Sequence, residues 1–371
     1  MRVREITRII EELCPLTYSE DFDNVGLLVG DNNLEVTGVL VALDTLEETV
    51  EEAILNNCNL IVGFHPIIFS GLKKITGSDY VQRAVIRAIK NDIAIYAMHT
   101  ALDNSFHGVS ARMCDVLGLE NREVLLPQKG NLKKLVTFVP HKDAEKVREA
   151  LFRAGAGNVG NYSHCSYNMQ GEGTFLGEAG ATPVIGEAGK LEKVDETWIG
   201  VVFERHLENH VVQALLQSHP YEEVAYDLYT LDNKSLRIGM GMIGDLPEPV
   251  ATRDFLQKLK DTFGAKLVRH SAITQDFVSR IAVLGGSGSF AISRARSAGA
   301  HVFVTADLKY HDFYKAEGKL LLADIGHYES EQFTKNLLVE YLNKKITNFA
   351  PALPAGRIIL SKTNTNPINY L

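Results

Sequence analysis

Cysteine is scarce in this 371-residue chain, and the four present, Cys14, Cys58, Cys114 and Cys165, lie far apart with no CxxC pair. A disulfide scaffold is therefore not expected, and a cytoplasmic location is. No apolar run reaches the ~18 residues that a membrane span needs. Glu5, Glu11 and Glu12 interrupt the amino-terminal segment where a signal peptide would carry an apolar core. A basic excess is missing too: 38 Lys and Arg stand against 46 Asp and Glu, a net charge of -8. No broad nucleic-acid surface is expected on that balance. Neither a GxSxG elbow nor a Walker sequence occurs, which removes the commonest hydrolase and NTPase routes.

What is present is ordinary globular material, 45% hydrophobic and 23% charged. At roughly 100–200 residues per domain, the length suggests two or three units. Met1–Leu13 has the apolar spacing of an amphipathic helix. In the first third, strands at Val36–Leu43, Leu60–Gly63 and Ile93–Met98 alternate with helical spacing at Leu46–Asn56, Tyr80–Lys90 and His107–Leu117. The last third repeats the pattern. Strands are expected at Arg280–Leu284, His301–Thr305 and Leu320–Ile325, and helices at Ser289–Ala298 and from Tyr328 to Lys344. Such alternation predicts an α/β domain with a mostly parallel sheet.

The middle reads differently. A strand at Leu132–Val139 and a helix at Ala144–Ala154 precede short strands around Ser163–Met169, Gly173–Leu176 and Thr197–Val202. A helix near Asn209–Ser218 and a strand at Tyr226–Tyr229 follow. The order β-α-β-β-α-β is that of a ferredoxin-like α+β unit. The expected organisation is one α/β domain in two halves, 1–126 and 237–371, with mixed sheets, interrupted by an insert at 127–236.

Four residues carry the candidate chemistry. His65 follows the Leu60–Gly63 strand, Asp103 comes soon after Ile93–Met98, and His327 and Glu331 follow Leu320–Ile325. Ligands of open α/β sheets bind at such carboxyl ends. His327 and Glu331, spaced i,i+4, share a helical face with Cβ atoms roughly 6 Å apart, which lets an imidazole and a carboxylate grip one ion. Taken alone, the pair reads more readily as a solvated helical ion pair or a His near a helix start; His65 and Asp103 at corresponding strand ends favour the metal. Asp307 and His311 are candidates to orient a ligating imidazole, which needs a carboxylate or carbonyl on its other nitrogen.

Other motifs carry less. Gly239–Gly244 matches GxGxxG letter for letter, but Asp245-Leu246-Pro247-Glu248-Pro249 follows, so no helix can start there. It reads as a turn where the insert returns. Gly285-Gly286-Ser287-Gly288 lies between a strand and a helix, where it is either an anion cradle or a tight turn. His219-Pro220-Tyr221-Glu222-Glu223 reads as a structural turn, and Trp198 as a packing residue.

Together these residues resemble the GTP cyclohydrolase I type 2 homologues, the Nif-three-like family. The similarity spans nearly the whole chain. It is carried by Asp23-Asn24-Val25-Gly26-Leu27, Ala42-Leu43-Asp44, His65-Pro66-Ile67-Ile68-Phe69 and His99-Thr100-Ala101-Leu102-Asp103. Further on it includes Gly285–Gly288, Thr305-Ala306-Asp307 and Gly326-His327 with Glu331. The middle segment resembles the PII-like insert of the longer members, through Gly155-Ala156-Gly157, Gly160-Asn161-Tyr162, Gly171–Phe175 and His219–Glu223. The resemblance implies a dinuclear centre of zinc, iron or manganese type inside a ring-shaped homohexamer. One ion would take His65, Asp103 and Glu331. The second would take His327, Glu331 and a histidine that the family carries where this chain has Phe64. Since Phe64 cannot ligate, one or two ions per chain are expected, with Glu331 the shared and catalytic carboxylate.

Two functions follow as expectations. The first is a metal-dependent hydrolase acting on a nucleotide or related phosphorylated compound. The second is a non-enzymatic regulatory or metal-handling protein that binds a small effector.

Overall fold

The computed structural model describes residues 1–349 and 357–371. These residues divide into two compact units, Met1–Pro127 with Arg237–Leu371, and Gln128–Leu236.

The first unit holds two mixed sheets rather than one mostly parallel sheet. Five strands run in the order Gly26–Val29, Ala94–Ala97, Leu60–Gly63, Val39–Ala42, Ile358–Leu360, and only the first is antiparallel to its neighbour. Six run in the order Arg269–His270, Leu321–Asp324, Val302–Ala306, Phe277–Ser287, Gly239–Ala251, Glu120–Pro127. In that sheet the three strands around Val302–Ala306 are parallel and the outer pairings antiparallel. Each half of the chain thus lends a strand to the other half's sheet.

The central strands are buried along their whole length, as parallel strands covered on both faces must be. Alternation then assigns each residue to a layer. Val39, Val41, Leu60, Val62 and Tyr96 pack with the Val3–Leu13 helix, while Leu40, Ile61 and Ile95 pack on the opposite face with the Tyr80–Lys90 helix. Each such buried side chain contributes about 1.5–3 kcal/mol. Local signals set the helix ends. Asp79 caps Tyr80–Lys90 by accepting from the Gln82 amide at 2.9 Å, and Gly264, at φ 63°, ends Thr252–Phe263.

Several expectations need correction. Gly239–Ala251 is one strand paired on both sides, so the GxGxxG segment is sheet and not a turn. Gly239 tolerates no Cβ, which would fall 2.1 Å from the Leu126 carbonyl oxygen. The strand before Gly285 continues to Ser287, and only a 3-10 turn at Ser289–Ala291 separates it from the helix Ile292–Ser297. The expected long helix from Tyr328 is two, His327–Glu331 and Thr334–Phe349.

The second unit is a four-stranded antiparallel sheet in the order Ser166–Leu176, Leu191–Glu204, Leu132–Pro140, Tyr226–Leu231. Two short strands expected near 163–176 are one. The helices Ala144–Arg153 and Glu208–Ser218 cover one face through Val147, Leu151 and Leu215, packed on Leu135, Ile199, Val201 and Phe203. With this strand order and two helices, the unit has ferredoxin-like topology.

Candidate metal centre

The carboxyl ends of both sheets in the first unit supply one cluster. His65 leaves the Leu60–Gly63 strand with its amide donating to the Leu43 carbonyl at 2.9 Å. Its Nδ1 donates to Oδ1 of Asp44, 2.7 Å away, at the end of the neighbouring strand. His327 opens its short helix after Gly326, whose φ of 98° makes the turn. Its Nδ1 donates to Oδ2 of Asp307 at 2.6 Å, and the same oxygen accepts from Ser287 Oγ at 2.5 Å. Each imidazole is therefore held by a carboxylate at Nδ1, which fixes its ring and aims Nε2 away.

Both Nε2 atoms point at one atom. Glu331 Oε2 lies 3.1 Å from His65 Nε2 and 3.1 Å from His327 Nε2. The Glu331 side chain is 4% exposed, and Oε2 receives no aligned hydrogen bond despite these approaches. Two glycines make room for it. A Cβ on Gly286 would fall 2.4 Å from Glu331 Oε1, and one on Gly285 would fall 3.3 Å from its Cγ. The Gly286 amide donates to Ser330 Oγ at 2.9 Å, so it is not free for an anion. Gly285 and Gly286 lie in the strand and form the floor under Glu331, and the turn toward the helix begins at Gly288.

The electrostatics are those of a charge cluster awaiting a partner. Burial alone would push the Glu331 carboxyl up, but the two imidazoles outweigh it and hold it below the usual carboxylate range. Burial would likewise lower His65 and His327. The carboxylates at both ends of each ring instead raise them. Asp103 behaves oppositely: burial, then the nearby Glu331 charge, push its carboxyl well above the ordinary range.

His65, His327 and Glu331 offer ligand atoms within 4.8 Å of one another, a set that could hold a cation. Two imidazole nitrogens and a carboxylate oxygen suit zinc, iron or manganese better than magnesium or calcium. An orphaned buried oxygen between two aimed imidazoles fits such an ion. Asp103 feels the charges of all three but does not belong to that grouping. The grouping also mixes donors that the family resemblance divides between two ions.

Phe64 is fully buried, in the apolar cluster that includes Val62 and Met98. His99 stacks edge-on near it, ring centroids 5.6 Å apart, and 5.3 Å from His65. Its Nδ1 donates to Asp23 Oδ1 at 2.9 Å, and Asp23 also accepts from Thr100. Asp307 thus joins the cluster, whereas His311 does not; it is exposed and stacks with Tyr310 and Tyr314. Sequence reasoning passed over Asp44, Asp23 and Thr365, whose hydroxyl donates to Asp44 Oδ2. The first two stood inside stretches that carried the resemblance, and Asp44 directly follows a strand.

The Duf34/NIF3 (NGG1p interacting factor 3) family model matches residues 1–367. A Bacillus subtilis protein named GTP cyclohydrolase 1 type 2 homolog is 38% identical over 99% of this chain and 98% of its own length. A crystal structure of a Bacillus cereus protein related to NIF3 superposes with a TM-score of 0.88 at 38% identity, covering 100% of this chain and 99% of that one. A Staphylococcus aureus crystal structure follows at TM-score 0.75 and 29% identity, with 100% and 99% covered. The chain belongs to the Duf34/NIF3 family. Among its described residues, no helix is long and apolar enough to cross a membrane.

Proposed function

We propose that this member of the Duf34/NIF3 family is a divalent-metal-binding protein that acts as a metal-dependent hydrolase on a nucleotide or related phosphorylated compound. The observation that carries the metal reading is the convergence of His65 and His327 Nε2 on Glu331 Oε2, a buried oxygen without an aligned hydrogen bond. His65, His327 and Glu331 would hold the ion, and Asp103 would supply a fourth donor from its adjoining position. A bound divalent cation supplies Lewis acidity, making water a stronger acid and polarising the bond attacked.

The chain's own part is positional. Asp44 and Asp307 keep both imidazoles in the tautomer that presents Nε2, and Gly285 and Gly286 let Glu331 approach without strain. Glu331, buried between two imidazoles, stays ionised and is the carboxylate best placed to share an ion or move a proton. The relatives' name makes GTP the first nucleotide to test. A PII-like role for the insert, a ring-shaped homohexamer and a cytoplasmic location belong to the same proposal; the ferredoxin-like topology of Gln128–Leu236 supports the first, and the family resemblance the others.

Elemental analysis and calorimetry of purified protein, followed by a nucleotide and phosphodiester panel, test this reading. About one tightly held ion per chain, with binding and turnover both lost in Glu331→Ala, is expected. Tight metal binding without turnover on any substrate would favour the regulatory or metal-handling function instead. No metal binding at all would end both.

A further inference from the structure

Beside the cluster opens a cleft of about 460 Å3 lined in part by His65 and His327. Its walls are Leu43 and Leu46, the rings of Tyr80 and Tyr328, and Pro367 and Ile368 from the carboxy-terminal segment. That segment is strapped down. The Glu52 carboxylate accepts from Ser361 Oγ at 2.6 Å, the Lys362 amide at 2.7 Å and Thr363 Oγ1 at 2.7 Å. Further along, Asn366 Nδ2 donates to Glu329 Oε1 at 3.0 Å. The wall is therefore built before any ligand arrives.

The polar residues of the cleft are already engaged with one another. Asp44 accepts from His65 and Thr365, Asp307 from His327 and Ser287, and Asn366 accepts from the Ile368 amide. None of the described lining residues is Lys or Arg, and the two imidazoles that line it, His65 and His327, are each already paired with a carboxylate, Asp44 and Asp307, so the lining offers a phosphate no unpaired cation. What the walls offer is aromatic and aliphatic surface with two phenol groups, a lining that stacks flat rings and reads an edge.

We propose that this cleft takes the uncharged heteroaromatic ring of the ligand, with Pro367 and Ile368 as its specificity wall. The inference rests on the metal-dependent reading above and places the phosphate-bearing end outside the cleft.

Saturation-transfer NMR on zinc-loaded protein tests it, with guanosine and ribose 5-phosphate as probes. Guanosine ring protons should receive saturation. Ile368→Glu and Tyr80→Ala should each weaken guanosine by about tenfold or more. Both positions are exposed, so zinc uptake and ribose 5-phosphate binding should stay unchanged. Guanosine that fails to bind, or binds equally to both variants, overturns the assignment. Guanosine that remains sensitive to both substitutions in a chain that takes up no zinc upholds the cleft and overturns the metal reading instead.

Discussion

Two His-Pro pairs, His65-Pro66 in the first unit and His219-Pro220 in the second, look alike in sequence and are used in opposite ways. His219 is 7% exposed, and the backbone occupies both of its nitrogens. Nε2 donates to the Phe138 carbonyl at 3.0 Å, and Nδ1 accepts from the Tyr221 amide at 3.1 Å. Burial lowers its pKa, opposed by that carbonyl and by Glu196 and Asp143. Its neighbour Tyr221 donates to Glu196 at 2.9 Å, closing a structural turn. His65 instead has one nitrogen on a carboxylate and the other facing a buried carboxylate oxygen. An imidazole with both nitrogens taken by backbone is a strut. One with an oriented nitrogen facing a buried carboxylate oxygen is a candidate ligand.

The contrast can be broken most forcefully through the carboxylates that orient the imidazoles. Asp307→Ala should weaken metal binding about 10–100-fold, the usual effect of losing the partner behind a ligating histidine, and Asp44→Ala should act likewise. Calorimetric titration of metal-free protein measures both. An unchanged affinity would mean that the carboxylates do not set the imidazoles.

The converse experiment is His219→Ala. It leaves the Phe138 carbonyl and Tyr221 amide unpaired and should cost about 1–3 kcal/mol in unfolding of the insert, with metal affinity untouched. The pH dependence separates the two histidines further. A folded pKa below the ordinary value means that the unfolded state holds the proton better, so His219's contribution is lost as pH falls below about 6.5. In the metal-free chain, His65 and His327 have raised values, so theirs is complete below about 6.5 and is lost as pH rises. Denaturant unfolding between about pH 5 and 8 checks this: His219→Gln should flatten the acid-side loss.

The smallest expected effect concerns Phe64. Wild type should bind one ion tightly and a second poorly, and Phe64→His, adding a donor near His99, should raise zinc stoichiometry toward two. Burying that imidazole should cost the metal-free protein about 1–3 kcal/mol. Two equally tight ions in wild type, unchanged by the substitution, would show that Phe64 cripples nothing.

Much of this was legible where the signal is local. The i,i+4 spacing of His327 and Glu331 brings them together as periodicity requires, and the family match supports the mixed α/β architecture. The carboxylates behind the histidines were harder to see, because Asp44 is 21 residues from His65 and Asp23 is 76 from His99; only strand pairing makes them neighbours. The strand Gly239–Ala251 was hidden by glycines and prolines that normally mark turns, although here partner strands on both sides hold the backbone extended. Gly285 and Gly286 misled for another reason. Their missing side chains answer a close approach by Glu331 from 45 or more residues away, which no local pattern reports.

The exchange of strands between the halves also sets an order of events during synthesis. Ile358–Leu360, the last of the described strands in chain order, pairs in parallel with Val39–Ala42, one of the first. Asp307, His327 and Glu331 also emerge late. A nascent chain can form most of the amino-terminal sheet, but its Val39–Ala42 edge stays bare until Ile358–Leu360 has been made. His65 and Asp44 wait beside that edge, so a polypeptide stalled before Asp307 has only half of the cluster. Synthesis of the segment from Asp307 to Glu331 is then the event that brings the two halves of the cluster together.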